Sequence, residues 1–254
     1  MSEPVQPSMA ARLRAFTHAR VGLGRSGVSQ QLRHVLEFQR AHATARDAVH
    51  ALIDPIQFAA SISESLGLRE VLTLHSAAAD RRTYLQRPDL GRTLDSRSRD
   101  LINVFSASHF DLAIVIADGL SALAVERHAI PLLQIALPQL DAWNIAPISV
   151  VEQGRVAIGD EIGEALHVRI AVVLIGERPG LSSPDSLGAY VTWMPRHGRT
   201  DAERVCISNI RPEGLGYMDA AAQLISVLSA AMRNQLTGVG ARDSRPPLPE
   251  GGRR

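Results

Sequence analysis

The sequence predicts an α/β fold, on the evidence of two recurrent patterns. Short apolar runs rich in β-branched residues, such as DLAIVIADG and RIAVVLIGE, are typical of buried parallel strands. Longer segments with helical periodicity lie between these runs, and such alternation is typical of βαβ units. We therefore expect a Rossmann-like, mostly parallel sheet with helices on both faces, preceded by a helical N-terminal region.

The first region, residues 1–95, is predicted to be mainly helical. Ser29 can cap a long helix that follows it, because a serine hydroxyl accepts from the free backbone N–H groups of a first turn. Pro55 is predicted to lie at the start of the next helix and Gly67 at its end. The apolar run VLTLH, at residues 71–75, is compatible with a short strand.

The second region, residues 96–240, alternates between the two patterns. Pro131 interrupts one helical segment, where we expect a kink or a break. Residues 241–254 have no apolar periodicity and are predicted to be a disordered tail. Helices are predicted over 96–106, 120–140, 160–168 and 218–236, and strands within 111–119, 148–159, 169–177 and 205–210.

Bulk composition narrows the class of protein. The chain has 254 residues, 45% of them hydrophobic, which is enough for a sizeable core. A formal net charge of +1 does not favour nucleic acid or an acidic membrane surface as a partner. A single cysteine, Cys206, excludes an intrachain disulfide and fits a reducing compartment. We expect a cytoplasmic protein with neither a membrane span nor a signal peptide.

Polar loops follow two of the predicted strands. The run AVVLI leads to Gly176, with Glu177 next, and the run VCISNI is followed by Arg211 and its neighbours PEG. Ligands of open α/β sheets bind outside the carboxyl ends of the strands, so these loops are predicted to wall a binding site. Glu177 either caps a turn or accepts hydrogen bonds from a ligand. The segment starting at Asp118, DGLS, is either a ligand loop or a helix cap.

Gly22, Gly24 and Gly27 match the spacing G-x-G-x-x-G, which in a dinucleotide site lets a pyrophosphate approach a helix start. The residues before them do not resemble a buried strand. A structural or interface loop is therefore the favoured interpretation, with a stand-alone dinucleotide-binding enzyme as the alternative.

The other motifs of enzyme chemistry are missing. Histidines and the one cysteine lack metal-ligand spacing, and no G-x-S-x-G elbow is present. The Ser182–Ser186 run is typical of turn chemistry. Cys206 lies in an apolar run, where a small core residue is expected, and redox or nucleophilic chemistry would require a neighbouring base or cation. We assign no catalytic residue and no metal ligand.

Seven collinear segments give the chain a resemblance to one known family. Together they resemble the small (light) subunit of ethanolamine ammonia-lyase over most of the chain. The segments are ARVGLGRSGVS at 19–29, LEFQRAHATARDAV at 36–49, YLQRPDLGR at 84–92, IVIADGLSALAVERHA at 114–129, QGRVAIGDEIG at 153–163, LIGERPGLSSPDSLG at 174–188 and CISNIRPEGL at 206–215.

The resemblance implies a role that composition does not. In this family a large (β/α)₈ subunit binds ethanolamine and performs most of the chemistry, and the small subunit encloses part of the cofactor, adenosylcobalamin. The residues of the cobalamin site are implied to be Val156, Glu177 and Cys206. The cofactor supplies radical chemistry that converts ethanolamine to acetaldehyde and ammonia. No Asp-x-His-x-x-Gly motif is present, so the cofactor's own dimethylbenzimidazole is expected to stay as the lower cobalt ligand.

The resemblance also implies a partner protein and leaves one alternative function open. We expect a hetero-oligomer with the large subunit, contacted through the Gly22–Gly27 loop and the arginine-rich helices. Residence inside a bacterial microcompartment is compatible with the resemblance but is not decided by it. The alternative function is a non-catalytic scaffold or assembly protein of an ethanolamine-utilisation complex.

Overall fold

A computed structural model of the chain describes residues 9–17 and 19–240. Its helices are α1 (Met9–Arg14), α2 (Leu32–His50), α3 (Pro55–Leu66), α4 (Arg81–Gln86), α5 (Ser96–Asn103), α6 (Ala122–Ala136), α7 (Ile158–Ala165) and α8 (Tyr217–Asn234). Its strands are β1 (Arg25–Ser26), β2 (Ser29–Gln30), β3 (Val71–His75), β4 (Leu112–Ala117), β5 (Ile148–Glu152), β6 (Ile170–Gly176), β7 (Leu187–Trp193) and β8 (Arg204–Ile210). Short 3₁₀ turns lie at Leu90–Arg92, Leu137–Gln139 and Asp201–Glu203.

Six strands form one mixed sheet in the order β3-β5-β4-β6-β7-β8. The first four strands are parallel, whereas β7 runs antiparallel to both of its neighbours. The α/β class is therefore confirmed, although the sheet is parallel only in its first four strands. Sequence patterns indicated no strand at β7, whose run LGAYVTW is interrupted by Gly188 and Thr192.

The sheet separates two apolar cores, because successive residues of a strand point to opposite faces. In β4, Leu112, Ile114 and Ile116 pack with α3, α6 and α8, whereas Ala113 and Val115 pack with α5 and α7. All six β4 residues are buried, so this strand is a continuous apolar run rather than an alternating one. The prediction of helices on both faces is confirmed.

The N-terminal region contains two of its predicted elements and differs from the prediction at one position. The run VLTLH forms β3 at one edge of the main sheet, so residues 1–95 also contribute a strand. The predicted cap at Ser29 is wrong: Ser29 lies in β2, and α2 begins after Gln31 without a side-chain cap. The helix from Pro55 is confirmed, and Gly67 ends it with a φ of 65°.

Two further predictions concern Pro131 and the C-terminal tail. Helix α6 continues through Pro131, so a break there is wrong. The tail predicted to be disordered, residues 241–254, lies outside the described residues. Within the part of the chain that the structure describes, no helix is both long and apolar enough to cross a bilayer.

Candidate functional site

Polar residues from several loops meet at one edge of the sheet. Asp118 follows β4, Gln153 follows β5 and Glu177 follows β6, and these three strands are parallel. Strand β8 points the same way as β6, because β7 reverses direction between them. The two loops that the sequence indicated, after Gly176 and from Arg211, are thus confirmed at a shared edge.

The loop after β4 packs directly on the end of β6. Backbone N–H of Leu120 donates to the Gly176 carbonyl at 2.9 Å. A Cβ on Gly176 would lie 2.0 Å from the Ser121 carbonyl oxygen, and one on Gly119 would lie 2.4 Å from the Gly176 oxygen, so both positions require glycine. Ser121 accepts from the Ala124 N–H at 3.3 Å, which confirms the helix-cap interpretation of this segment.

These loops border an open groove. One cleft of about 440 Å³ is lined by Arg155, Val156, Glu177, Tyr190 and Ser208, among others. Two neighbouring clefts of about 460 Å³ each also contain Arg155 in their walls. We call these three clefts together the carboxyl-edge groove. The structure thus brings Val156 and Glu177, which are 21 positions apart, into one wall.

Glu177 contacts the ends of β6, β7 and β8, the three strands that we call the antiparallel half of the sheet. Its carboxylate accepts from the hydroxyls of Ser186 and Ser208, and its Oε2 accepts from the Asn209 N–H at 3.2 Å. These partners lie 9 to 32 positions away along the chain, so the Glu177 side chain links the ends of β6, β7 and β8 and does not cap the local turn. A carboxylate has about four acceptor sites, so capacity for a ligand donor is left, and the ligand interpretation stays a prediction.

Cys206 lies on edge strand β8, directly opposite Tyr190 on β7. The side chain of Cys206 is exposed, so the expectation of a core residue is wrong. Desolvation raises the pKa of Cys206, and desolvation with the neighbouring thiol raises the pKa of Tyr190. Both groups are therefore protonated at neutral pH. Tyr190 lines the groove, and sequence analysis missed it together with β7.

A buried arginine joins the loops beneath the groove. Arg81 donates from Nη1 to the Gly119 carbonyl at 2.8 Å and from Nε to the Val49 carbonyl at 2.7 Å. The same Nη1 lies 3.4 Å from the Asp118 carboxylate, which also accepts from the Gly154 N–H at 3.2 Å. Burial, opposed by Arg81, raises the pKa of Asp118 to about 6. No sequence motif indicated this pair, because its members are 37 positions apart.

Comparison with known proteins identifies the family. The family model described as ethanolamine ammonia-lyase light chain (EutC) matches residues 7–242. The chain belongs to this family. Proteins named ethanolamine ammonia-lyase small subunit from Ralstonia nicotianae and Xanthomonas campestris are 55% and 54% identical to it, over 95% and 96% of this chain and 91% of each relative. One from Pseudomonas aeruginosa is 55% identical over 91% of this chain and 86% of the relative.

Two motifs acquire a structural explanation in this light chain. The Gly22–Gly27 segment leads into the small hairpin β1–β2 and follows α1, so the strand that a dinucleotide fingerprint requires before its glycines is not found in the described residues. In the Ser182–Ser186 turn, Asp185 accepts from Arg127 at 2.8 Å and from Arg211 at 3.0 Å. Pro184 and Asp185 form a turn, which confirms the turn interpretation of that run.

Proposed function

We propose that this chain is the small subunit of an adenosylcobalamin-dependent ethanolamine ammonia-lyase, which converts ethanolamine to acetaldehyde and ammonia. It forms one wall of the cofactor site, and a large partner subunit closes the site and holds ethanolamine. The names of its relatives, at 54% to 55% identity over most of the chain, support this assignment. Residence in a protein-shelled compartment stays a prediction.

One observation carries the cofactor part of the proposal. Val156 and Glu177, placed on separate loops, line the same open cleft at the carboxyl edge. Ligands of α/β sheets bind at this edge. The cleft opens to solvent in the isolated chain, as expected of a site that a second subunit completes.

The groove also suits the chemistry of a corrinoid. Cobalamin is a large ring edged with amide side chains, whose NH₂ groups donate to carboxylates. Glu177 and the Ser208 hydroxyl supply such polar partners, and Val156 supplies an apolar contact. Cys206, beside Tyr190, would extend the same wall along β8. When bound, the cofactor supplies the radical chemistry, and the protein supplies enclosure and orientation.

Tyr190 in the groove wall and Cys206 opposite it on β8 favour enclosure over acid–base work. The raised pKa values of Tyr190 and Cys206 keep both protonated, so neither is a ready base or nucleophile at neutral pH. Glu177 already accepts three hydrogen bonds from the protein. Proton transfers to ethanolamine are therefore assigned to the large subunit.

Affinity for the cofactor tests the proposal. We would co-express the chain with its large subunit and titrate the complex with adenosylcobalamin, following its visible absorption. Glu177→Ala should weaken binding about tenfold or more, because a hydrogen bond to a charged group contributes about 1.5 to 3 kcal/mol. Glu177→Gln, which keeps the shape but loses the charge, should give a smaller loss.

The control is Glu70→Gln, an exposed acid just before β3, at the opposite edge of the sheet. It should bind the cofactor as the wild type does. A wild-type complex that does not bind adenosylcobalamin would contradict the proposed function. Equal affinities of the wild type and both Glu177 variants for adenosylcobalamin would show that Glu177 does not contact the cofactor.

A further inference from the structure

Three arginines of the carboxyl-edge groove have no acidic partner. Arg92, Arg155 and Arg178 line its clefts, and none forms an ion pair with the acids of residues 9–17 and 19–240. The other arginines of these walls each pair with a carboxylate: Arg46 with Asp47, Arg199 with Glu203 and Arg204 with Asp160. Among the described residues, Glu177 is the one acid lining these clefts outside the ion pairs, so the three unpaired arginines still leave the groove with an excess of positive charge.

Arg155 is the arginine common to all three clefts, and it is held in place. Its guanidinium lies 4.1 Å from the centre of the Tyr84 ring, and its Nη2 donates to the Tyr84 carbonyl at 3.1 Å. Its backbone N–H donates to the Gly91 carbonyl at 2.7 Å. Tyr84 is itself buried and donates to the Gly154 carbonyl at 3.1 Å. Arg155 is thus positioned before any ligand arrives.

The segment YLQRPDLGR explains how this position is kept. A Cβ on Gly91 would lie 2.8 Å from Arg155 Cγ and 3.0 Å from the Tyr84 ring. Only glycine therefore allows the chain to pass this close to the arginine. Residues 84–92 therefore support the position of Arg155 through Tyr84 and Gly91.

A preorganised guanidinium with free charge suits one class of ligand. Its planar fork matches the oxygens of a phosphate, and such pairs are among the stronger hydrogen bonds in proteins. We propose that Arg155, assisted by Arg92 and Arg178, forms a phosphate subsite in the carboxyl-edge groove. The phosphate has two candidate sources: the phosphodiester of the cobalamin nucleotide tail, which rests on the proposed function, and a free phosphate anion.

Cobalamin analogues separate the phosphate from the rest of the cofactor. The complex with the large subunit would be titrated with adenosylcobalamin, adenosylcobinamide phosphate and adenosylcobinamide; the last two both lack the base and differ in the phosphate. In Arg155→Met, affinity for the first two should fall roughly 10- to 100-fold, and affinity for adenosylcobinamide should stay unchanged. Equal losses for all three compounds would overturn the cofactor source.

A second variant, which changes two exposed arginines of the groove, keeps the test independent of whether Arg155→Met folds. Arg92 and Arg178 are exposed, and among the described residues neither lies over an aromatic ring as Arg155 lies over Tyr84. The double variant Arg92→Gln, Arg178→Gln should therefore fold normally and lose about three- to tenfold in affinity for the phosphate-bearing compounds, more at low salt than at high salt. The matched control is Arg233→Gln, an exposed arginine in the last turn of α8, which should change nothing.

Inorganic phosphate tests the second source. Calorimetric titration of the full-length chain with phosphate should show binding that Arg155→Met removes, if a free anion is the ligand. This arm stays informative when the wild-type complex binds no corrinoid, a result that contradicts the proposed function alone. If Arg155→Met matches the wild type toward phosphate and toward all three corrinoids, the phosphate subsite is overturned.

Discussion

Two buried aspartate–arginine pairs of this protein differ in how completely the arginine is bonded. Arg204 donates twice to Asp160, at 2.7 and 2.6 Å, and its other N–H groups donate to the Thr192 hydroxyl, the Arg199 carbonyl and Asp201. All five guanidinium N–H groups therefore have a partner. Arg81 makes a single 3.4 Å contact with Asp118, and its Nη2 is buried without a partner among the described residues.

The locations of the two pairs explain this difference. Arg204 and Asp160 connect the start of β8 to α7, and their complete bonding makes them a rigid brace of the antiparallel half. Arg81 and Asp118 lie beneath the loops of the carboxyl-edge groove, where the arginine also holds the Gly119 carbonyl. Buried pairs in one fold can thus serve as a fully satisfied brace or as an incompletely satisfied loop anchor, and they should respond differently to mutation and pH.

The largest effect is expected at the satisfied pair. Asp160→Ala leaves the buried Arg204 charge without its main partner, which costs about 3 to 5 kcal/mol of unfolding free energy. Urea unfolding followed by circular dichroism measures the loss. The control Asp201→Ala removes an acid whose side chain is 91% exposed and should cost less than about 1 kcal/mol. Similar losses in both variants would show that burial of the pair is unimportant.

At the incomplete pair we expect a dependence on pH. The pKa of Asp118 rises from 3.8 to about 6 on folding, mainly through burial, so its stabilising effect is full below pH 3.8 and is lost as pH rises through about 6. Asp118→Asn cannot titrate. The wild type should therefore lose about 2 to 3 kcal/mol relative to Asp118→Asn between pH 4 and pH 7.

Unfolding free energies of both proteins across this range give the difference directly. Subtracting the unfolding free energy of Asp118→Asn from that of the wild type cancels the contributions of other carboxyls. One of these is Glu203, whose pKa falls to about 2 because of hydrogen bonds from Thr200 and Arg199. Parallel pH profiles for wild type and variant would contradict an Asp118 that binds a proton on folding.

An intermediate loss of stability is expected at Gly91, which packs against Arg155 and Tyr84. Gly91→Ala places a methyl group against Arg155 Cγ and the Tyr84 ring, and such overpacking costs about 1 to 3 kcal/mol. Gly24→Ala is the matched control, because the atoms nearest to its added methyl group belong to the end of the flexible Gln31 side chain. Thermal unfolding should separate the two variants by several degrees, and coincident melting curves would contradict tight packing at Gly91.

The smallest effect is expected at an exposed pair. Arg127 donates to Asp185 at 2.8 Å, but its side chain is 55% exposed. Arg127→Ala should therefore cost less than about 1 kcal/mol in urea unfolding. Arg211, which binds the same carboxylate, is only 10% exposed, and Arg211→Ala should cost more. A reversed order would contradict burial as the cause of the differences among these pairs.

The amino-acid sequence by itself determined the local elements and the edge at which the groove lies. Buried parallel strands need continuous apolar runs, and β4 and β6 have them; Gly67 and Ser121 act at helix ends through local backbone geometry. The polar residues directly after those strands, Glu177 above all, could be predicted because chain direction decides which strand ends meet.

Only the tertiary structure decided which distant residues meet within the groove. The apolar run of β7 is interrupted by Gly188 and Thr192, and the strand is defined by its pairing with β6 and β8, so the position of Tyr190 and the exposure of Cys206 could not be predicted. The contacts of Arg81 with Asp118 and of Tyr84 with Arg155 join helix α4 to loops 37 and 71 positions further along the chain. Such contacts depend on the packing of whole elements, which local patterns do not encode.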